Sequence, residues 1–140
     1  MLIPDYFMPH DDKFSPYSRK LVRAWGRILL TLHRLFDCDA EFAIGFAFDS
    51  EAEAQFEEGR FGTVYYINPI TVVEQSNSGS RSFRKRFKLT ERDRLISVAA
   101  HEFVHGAFGH RYHDESFAAT QTDVMAVVMK HRRQFNRCFQ

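Results

Sequence analysis

The chain has 140 residues, of which 44% are apolar and 26% charged, an ordinary composition for one globular domain with a core of its own. A formal net charge of +1 removes any global electrostatic case for nucleic acid and leaves only local patches. No apolar run approaches the roughly 18 residues of a membrane span, and the start, MLIPDYFMPHDDKF, has neither the basic residues nor the apolar stretch of an export signal.

Residues 1–14, rich in Pro and Asp, read as an extended arm ahead of a single domain over 15–140. Ser15-Pro16 is a helix start, a hydroxyl cap followed by proline at the first helical position. Leu21, Val22, Trp25, Ile28, Leu29, Leu32, Leu35 and Phe36 then recur at spacings of three and four, which predicts an amphipathic helix to about Phe36. EFAIGFAFD, Glu41 to Asp49, reads as a buried strand. SEAEAQFEEG is expected to form a short acidic helix capped by Ser50 and closed by Gly59. RFGTVYYINP follows as a strand, with Pro69 placing its end at a sheet edge.

ITVVEQ fits either a strand or a turn of helix, and SNSGSRS is a loop by composition. FRKRFKL alternates apolar and basic residues as an edge strand would. Thr90 with Asp93 resembles a capping box and predicts a helix from about Glu91 to Phe108, ending near Gly106 and Gly109. A last helix is expected to start at Asp114 as its cap and to carry Phe117, Val124, Val128 and Phe135 on one face. Lys130, Arg132 and Arg133 suit its negative carboxyl end. The expected fold class is α+β.

The chemistry is concentrated in AAHEFVHGAFGHRYHDESFA, Ala99 to Ala118, which contains four of the seven histidines. His101 and His105 are four residues apart on the predicted helix, about 40° apart around its axis, and project from one face. Two imidazoles so placed can occupy adjacent corners of a zinc tetrahedron. Glu102 is turned too far away to ligate but can accept a proton from a metal-bound water, the HExxH arrangement. Ile96, Ala99, Ala100, Phe103 and Ala107 fall on the opposite side and form a core face. The bland alternative is a histidine-rich surface helix, and the presence of a separate core face weighs against it.

A catalytic zinc needs a third protein ligand and an open position. His110, His113, Asp114 and Glu115 compete for that place. A helix-loop-helix reversal returns His113 towards the metal, with His110 as the next candidate and an alternative role for it in stabilising an oxyanion. Tyr112 and Arg111 are further oxyanion candidates.

HExxH followed by HDESF (His113 to Phe117) resembles the HExxH…HxxxF pattern of the minimal zincins, a group that includes the SprT-like and WLM-like metalloproteases and small gluzincin-type domains. The resemblance implies one Zn2+ per chain held by His101, His105 and His113, Glu102 as general base, and Phe117 as a packing residue. It also implies an amino-terminal helix, a small mixed sheet with an exposed edge strand, an active-site helix and a backing carboxyl-terminal helix. On that pattern Tyr65, Tyr66, Ile67 and Asn68 form the edge strand that receives an extended peptide. The spacing from His105 to His113 is longer than in the metzincin pattern, and neither a Met-turn nor a Cys-rich zinc ribbon is evident.

Arg81, Arg84, Lys85, Arg86 and Lys88, interleaved with Phe83 and Phe87, could touch a phosphate backbone or stack on bases. A solvated edge strand protected by its charges explains them more simply. Cys38 and Cys138 make no CxxC pair and fit free thiols in a reducing, cytoplasmic compartment. His10, His33 and His131 carry no motif and are read as incidental. The expected function is zinc-dependent hydrolysis of peptide bonds; the alternatives are a SprT-like protease acting on DNA-bound protein and a non-catalytic zinc-stabilised interaction module.

Overall fold

The computed structural model describes residues 15–38, 41–46, 54–59, 62–67 and 89–140. The arm over 1–14, Asn68, Pro69 and the basic cluster between Arg81 and Lys88 lie outside the described residues.

Helix α1 spans Ser15–Leu35, as its apolar spacing dictates. Leu21, Val22, Trp25, Ile28, Leu29 and Leu32 are all buried on its inner face. The helix closes with a left-handed residue, Asp37 at φ 51°. The Asp37 amide donates to the Arg34 carbonyl at 3.3 Å and the Cys38 amide to the His33 carbonyl at 2.8 Å. These two bonds satisfy carbonyls the helix end would leave open, with aspartate where glycine is usual.

Strands β1 (Phe42–Phe46), β2 (Ala54–Gly59) and β3 (Gly62–Ile67) form a mixed sheet in the order β1-β3-β2. β1 runs parallel to β3 in register Phe42↔Thr63 to Phe46↔Ile67. β2 runs antiparallel to β3 from Ala54↔Ile67 to Gly59↔Gly62.

This sheet corrects two expectations. The segment ending at Gly59 is a strand rather than an acidic helix: the alanine and glutamate preference for helix yields to continuous pairing with β3. The strand containing Tyr65, Tyr66 and Ile67 is central rather than an edge, because β1 and β2 occupy both of its sides. An extended peptide therefore has no open ladder to join at these three residues. Tyr65 and Ile67 are fully buried and Tyr66 nearly so.

Helix α2 spans Leu89–Phe108. It begins two residues earlier than expected, so Thr90 lies inside the helix rather than capping it. Its core face is the expected one: Ile96, Ala99, Ala100 and Phe103 are buried, as are Leu95 and Val104. Gly109 follows at φ 71°, the left-handed residue that ends the helix. Helix α3 (Glu115–Lys130) is capped as expected by Asp114, whose carboxylate accepts from the Phe117 amide at 2.9 Å.

The final helix is not continuous. It breaks at His131, whose amide reaches both Val127 and Val128 carbonyls, and restarts as α4 (Arg132–Asn136) and a 3-10 turn (Arg137–Phe139). The change of direction buries Phe135 and Cys138 in the core, next to α1. Cys38 and Cys138 are not joined by a disulfide. No helix among the described residues is long and apolar enough to cross a membrane.

The core joins α1, the sheet and α2, and Tyr65 lies where they meet. Its carbonyl accepts from Trp25 Nε1 at 3.2 Å, and its hydroxyl lies 3.2 Å from His33 Nε2. His33 is therefore not incidental. It is buried, stacked on Phe42 with ring centroids 4.5 Å apart, and held neutral because burial lowers its pKa. The Tyr65 ring also sets the distance to α2. A Cβ on Gly106 would stand 2.6 Å from the Tyr65 hydroxyl oxygen and 2.9 Å from two ring carbons. Gly106→Ala is expected to cost about 1–3 kcal/mol, the usual penalty for overpacking a filled core. Chemical denaturation should show it, and trimming the ring in a Tyr65→Leu background should remove much of the difference; equal effects in both backgrounds would count against the contact.

Candidate metal centre

The periodicity of α2 places His101 and His105 one turn apart on the side away from the core face. Gly109 then reverses the chain, and four residues later His113 comes back over the same pair. Their ring nitrogens converge. His105 Nε2 lies 3.3 Å from His101 Nε2 and 2.9 Å from His113 Nε2, and one ligand atom from each of the three falls within 4.8 Å of the others. Three imidazole nitrogens at zinc bonding distance in a tetrahedron stand about 3.3 Å apart. The donor set thus fits a divalent transition ion without large movement, and three imidazoles leave a fourth position open.

His110 does not belong to this group. Its ring points to α3, where Nε2 lies 3.0 Å from Thr120 Oγ1, and its backbone carbonyl faces the cluster. That carbonyl accepts from His105 Nδ1–H. A proton on Nδ1 leaves the Nε2 lone pair facing inward, the tautomer a metal ligand requires. Of the two histidines that competed for the third place, geometry brings His113 to the cluster and His110 to a supporting contact. Tyr112 stands 76% exposed and is not gathered into the group.

Phe117 forms a floor under all three rings. Its centroid lies 4.9 Å from those of His101 and His113 and 4.6 Å from that of His105. Three and four residues further on, the same face of α3 carries Thr120 and Gln121. The Gln121 amide lies 3.4 Å from His101 Nδ1, and with its terminal amide turned over it offers oxygen to an Nδ1–H. The zincin resemblance assigns Phe117 to packing, and no sequence motif marks Thr120 or Gln121. The signal available was their i, i+3, i+4 spacing from Phe117.

Burial favours the neutral form of His101 and His105 and the protonated form of the Glu102 carboxyl. The His101 pKa is pushed down to about 4, first by burial and then by the neighbouring His105 and His113. Burial also lowers that of His105, against the raising effect of the His110 carbonyl. Glu102, buried on the same helix, has its carboxyl pushed up to about 7 by burial. The shift comes from burial, which takes most of the water from around the group and so disfavours its charged form. Comparison of the chain with protein-family models, curated proteins and solved structures finds no match.

These shifts oppose one another in the metal-free protein. Glu102 binds its proton more tightly folded than unfolded, so its contribution is full below pH 4.5 and is lost as pH rises through about 7. His101 binds its proton less tightly when folded, so its contribution is full above pH 6.5 and is lost as pH falls towards about 4. Glu102→Gln removes the first effect and keeps the second. With metal chelated, its melting temperature should exceed that of the wild type at pH 8, and the gap should close as pH falls below 4.5. A gap independent of pH would contradict the raised carboxyl pKa.

Proposed function

We propose that the chain is a zinc-dependent metallopeptidase with a minimal zincin-like fold, in which His101, His105 and His113 hold the ion and Glu102 is the general base. The observation that carries this reading is the pairing of a convergent three-imidazole cluster with a buried carboxyl on the same helix. A purely structural zinc site usually has four protein ligands and has no use for a buried carboxyl beside it. Zinc with three imidazoles and one open position supplies Lewis acidity and acidifies the water that enters there.

The chain's own residues do the rest. Glu102 takes the proton from the attacking water at its carboxylate and passes it to the leaving amine. Burial raises the proton affinity of that carboxyl, which suits a group that must take up a proton and give it away again. The neutral state of His101 and His105 keeps their lone pairs available for the ion. β2, which like β1 pairs with only one strand among the described residues but unlike it packs near α2, is the edge we assign to an extended peptide.

The test has two parts. Wild type should carry about one zinc per chain, lost in His101→Ala and His113→Ala and retained in Glu102→Gln. Unfolded polypeptide should be cleaved by the wild type, with a loss of about 10²–10⁴-fold in kcat/KM for Glu102→Gln at unchanged zinc content. Zinc binding without cleavage by the wild type would leave a metal-stabilised interaction module in place of a hydrolase.

A further inference from the structure

We infer that Thr120 and His110 act together as positioning residues for His105, and that this tether sets the affinity of the metal centre; the affinity part rests on the reading of the cluster as a metal site. The chain of contacts runs from α3 to the cluster in three links. The Thr120 hydroxyl proton goes to the Ser116 carbonyl at 3.0 Å, within its own helix. Its oxygen is then left as acceptor for His110 Nε2–H at 3.0 Å. With its side chain anchored, His110 presents its backbone carbonyl to His105 Nδ1.

The anchor matters because it holds that carbonyl from α3, alongside the edge-on contact of the His110 ring with Phe117 at 6.2 Å between centroids. The carbonyl belongs to the short segment between α2 and α3, which turns at Gly109 in the left-handed region. Arg111 and Tyr112 beyond it are exposed, as is His113 itself. A loop of this kind samples several arrangements unless a contact selects one. The tether selects the arrangement in which His105 carries its proton on Nδ1 and turns Nε2 to its two neighbours. Contacts of this type, to the nitrogen away from the ion, typically change metal affinity 10–100-fold when removed.

Four variants and two readouts test this. Thr120→Val and His110→Phe remove the contact, whereas Thr120→Ser keeps the hydroxyl and His110→Gln keeps an N–H donor. Zinc affinity, measured by competition with a chromophoric chelator, should fall at least about 10-fold in the first two and stay near wild type in the second two. Long-range 15N–1H spectra of the metal-free proteins should show His105 as the Nδ1–H tautomer in wild type and the two conservative variants. In Thr120→Val and His110→Phe the tautomers should mix.

Unchanged zinc affinity and an unchanged His105 tautomer in Thr120→Val and His110→Phe would overturn the inference. So would loss of zinc in His110→Gln together with its retention in His113→Ala, which would make His110 a ligand. If the wild type binds no zinc, the metal reading fails and the affinity claim with it. The tautomer spectra still decide whether the tether positions His105.

Discussion

Three imidazole rings drawn together on one side of a helix form the constraint around which the rest of the molecule is organised. Nitrogens with inward lone pairs repel one another, and neither water nor the protein gains by gathering them without a cation. His105 Nε2 lies 2.9 Å from His113 Nε2. His105 directs its Nδ1–H to the His110 carbonyl, which leaves its Nε2 lone pair facing the other two rings. His113 is exposed. The loop thus supplies the one exposed histidine of the three, while His101 and His105 sit on the helix with further contacts to Gln121 and the His110 carbonyl.

Holding the cluster requires a rigid base, and α2 supplies it by dividing its surface. One face is small or apolar and fits against α1 and the sheet, with Ala99, Ala100 and Phe103 fully buried. The other carries His101 and His105. Glu102 is caught between the two roles: its backbone position is fixed by the helix, and its carboxyl is taken out of water. That burial raises its proton affinity, so the carboxyl holds its proton more tightly than one in water would. Tyr65 and His33 support the arrangement from behind α2. They put a satisfied polar pair, rather than an adaptable apolar side chain, behind Gly106.

Much of this was legible in the residues because it depends on local periodicity. The apolar spacing of α1, the core face of α2 and the Asp114 cap follow from rules that act within one or two turns of helix. The HExxH pair was readable for the same reason, since the spacing fixes which side chains share a helix face; the third place was not, because His110, His113, Asp114 and Glu115 follow the helix end and only the reversal at Gly109 brings His113 to the pair. What was not legible depends on partners distant in sequence. Residues 54–59 have helix-favouring alanine and glutamate, and only β3 makes them a strand. The position of Tyr65 in mid-sheet depends on strand order, which no local pattern encodes. His33 looked incidental because its partners, Tyr65 and Phe42, lie in other elements. The break at His131 likewise serves a contact with α1 more than a hundred residues earlier in the chain.

The two glycines beside the cluster show how different physical needs can share one residue type. Gly106 needs no unusual backbone angle; it sits inside α2, and its missing side chain makes room for Tyr65. Gly109 has open space where a Cβ would be, and it is required instead by its φ of 71°. The first lets the helix approach the sheet closely enough to bury the core face. The second ends the helix within one turn of His105, early enough for His113 to return. Moving either glycine by one residue would separate these effects, because the first depends on which face meets Tyr65 and the second on where the turn begins. The spacing between His105 and His113 is therefore set by the end of the helix and the length of the reversal. Thr120 and Phe117, on the helix that receives the chain, determine where that reversal comes to rest.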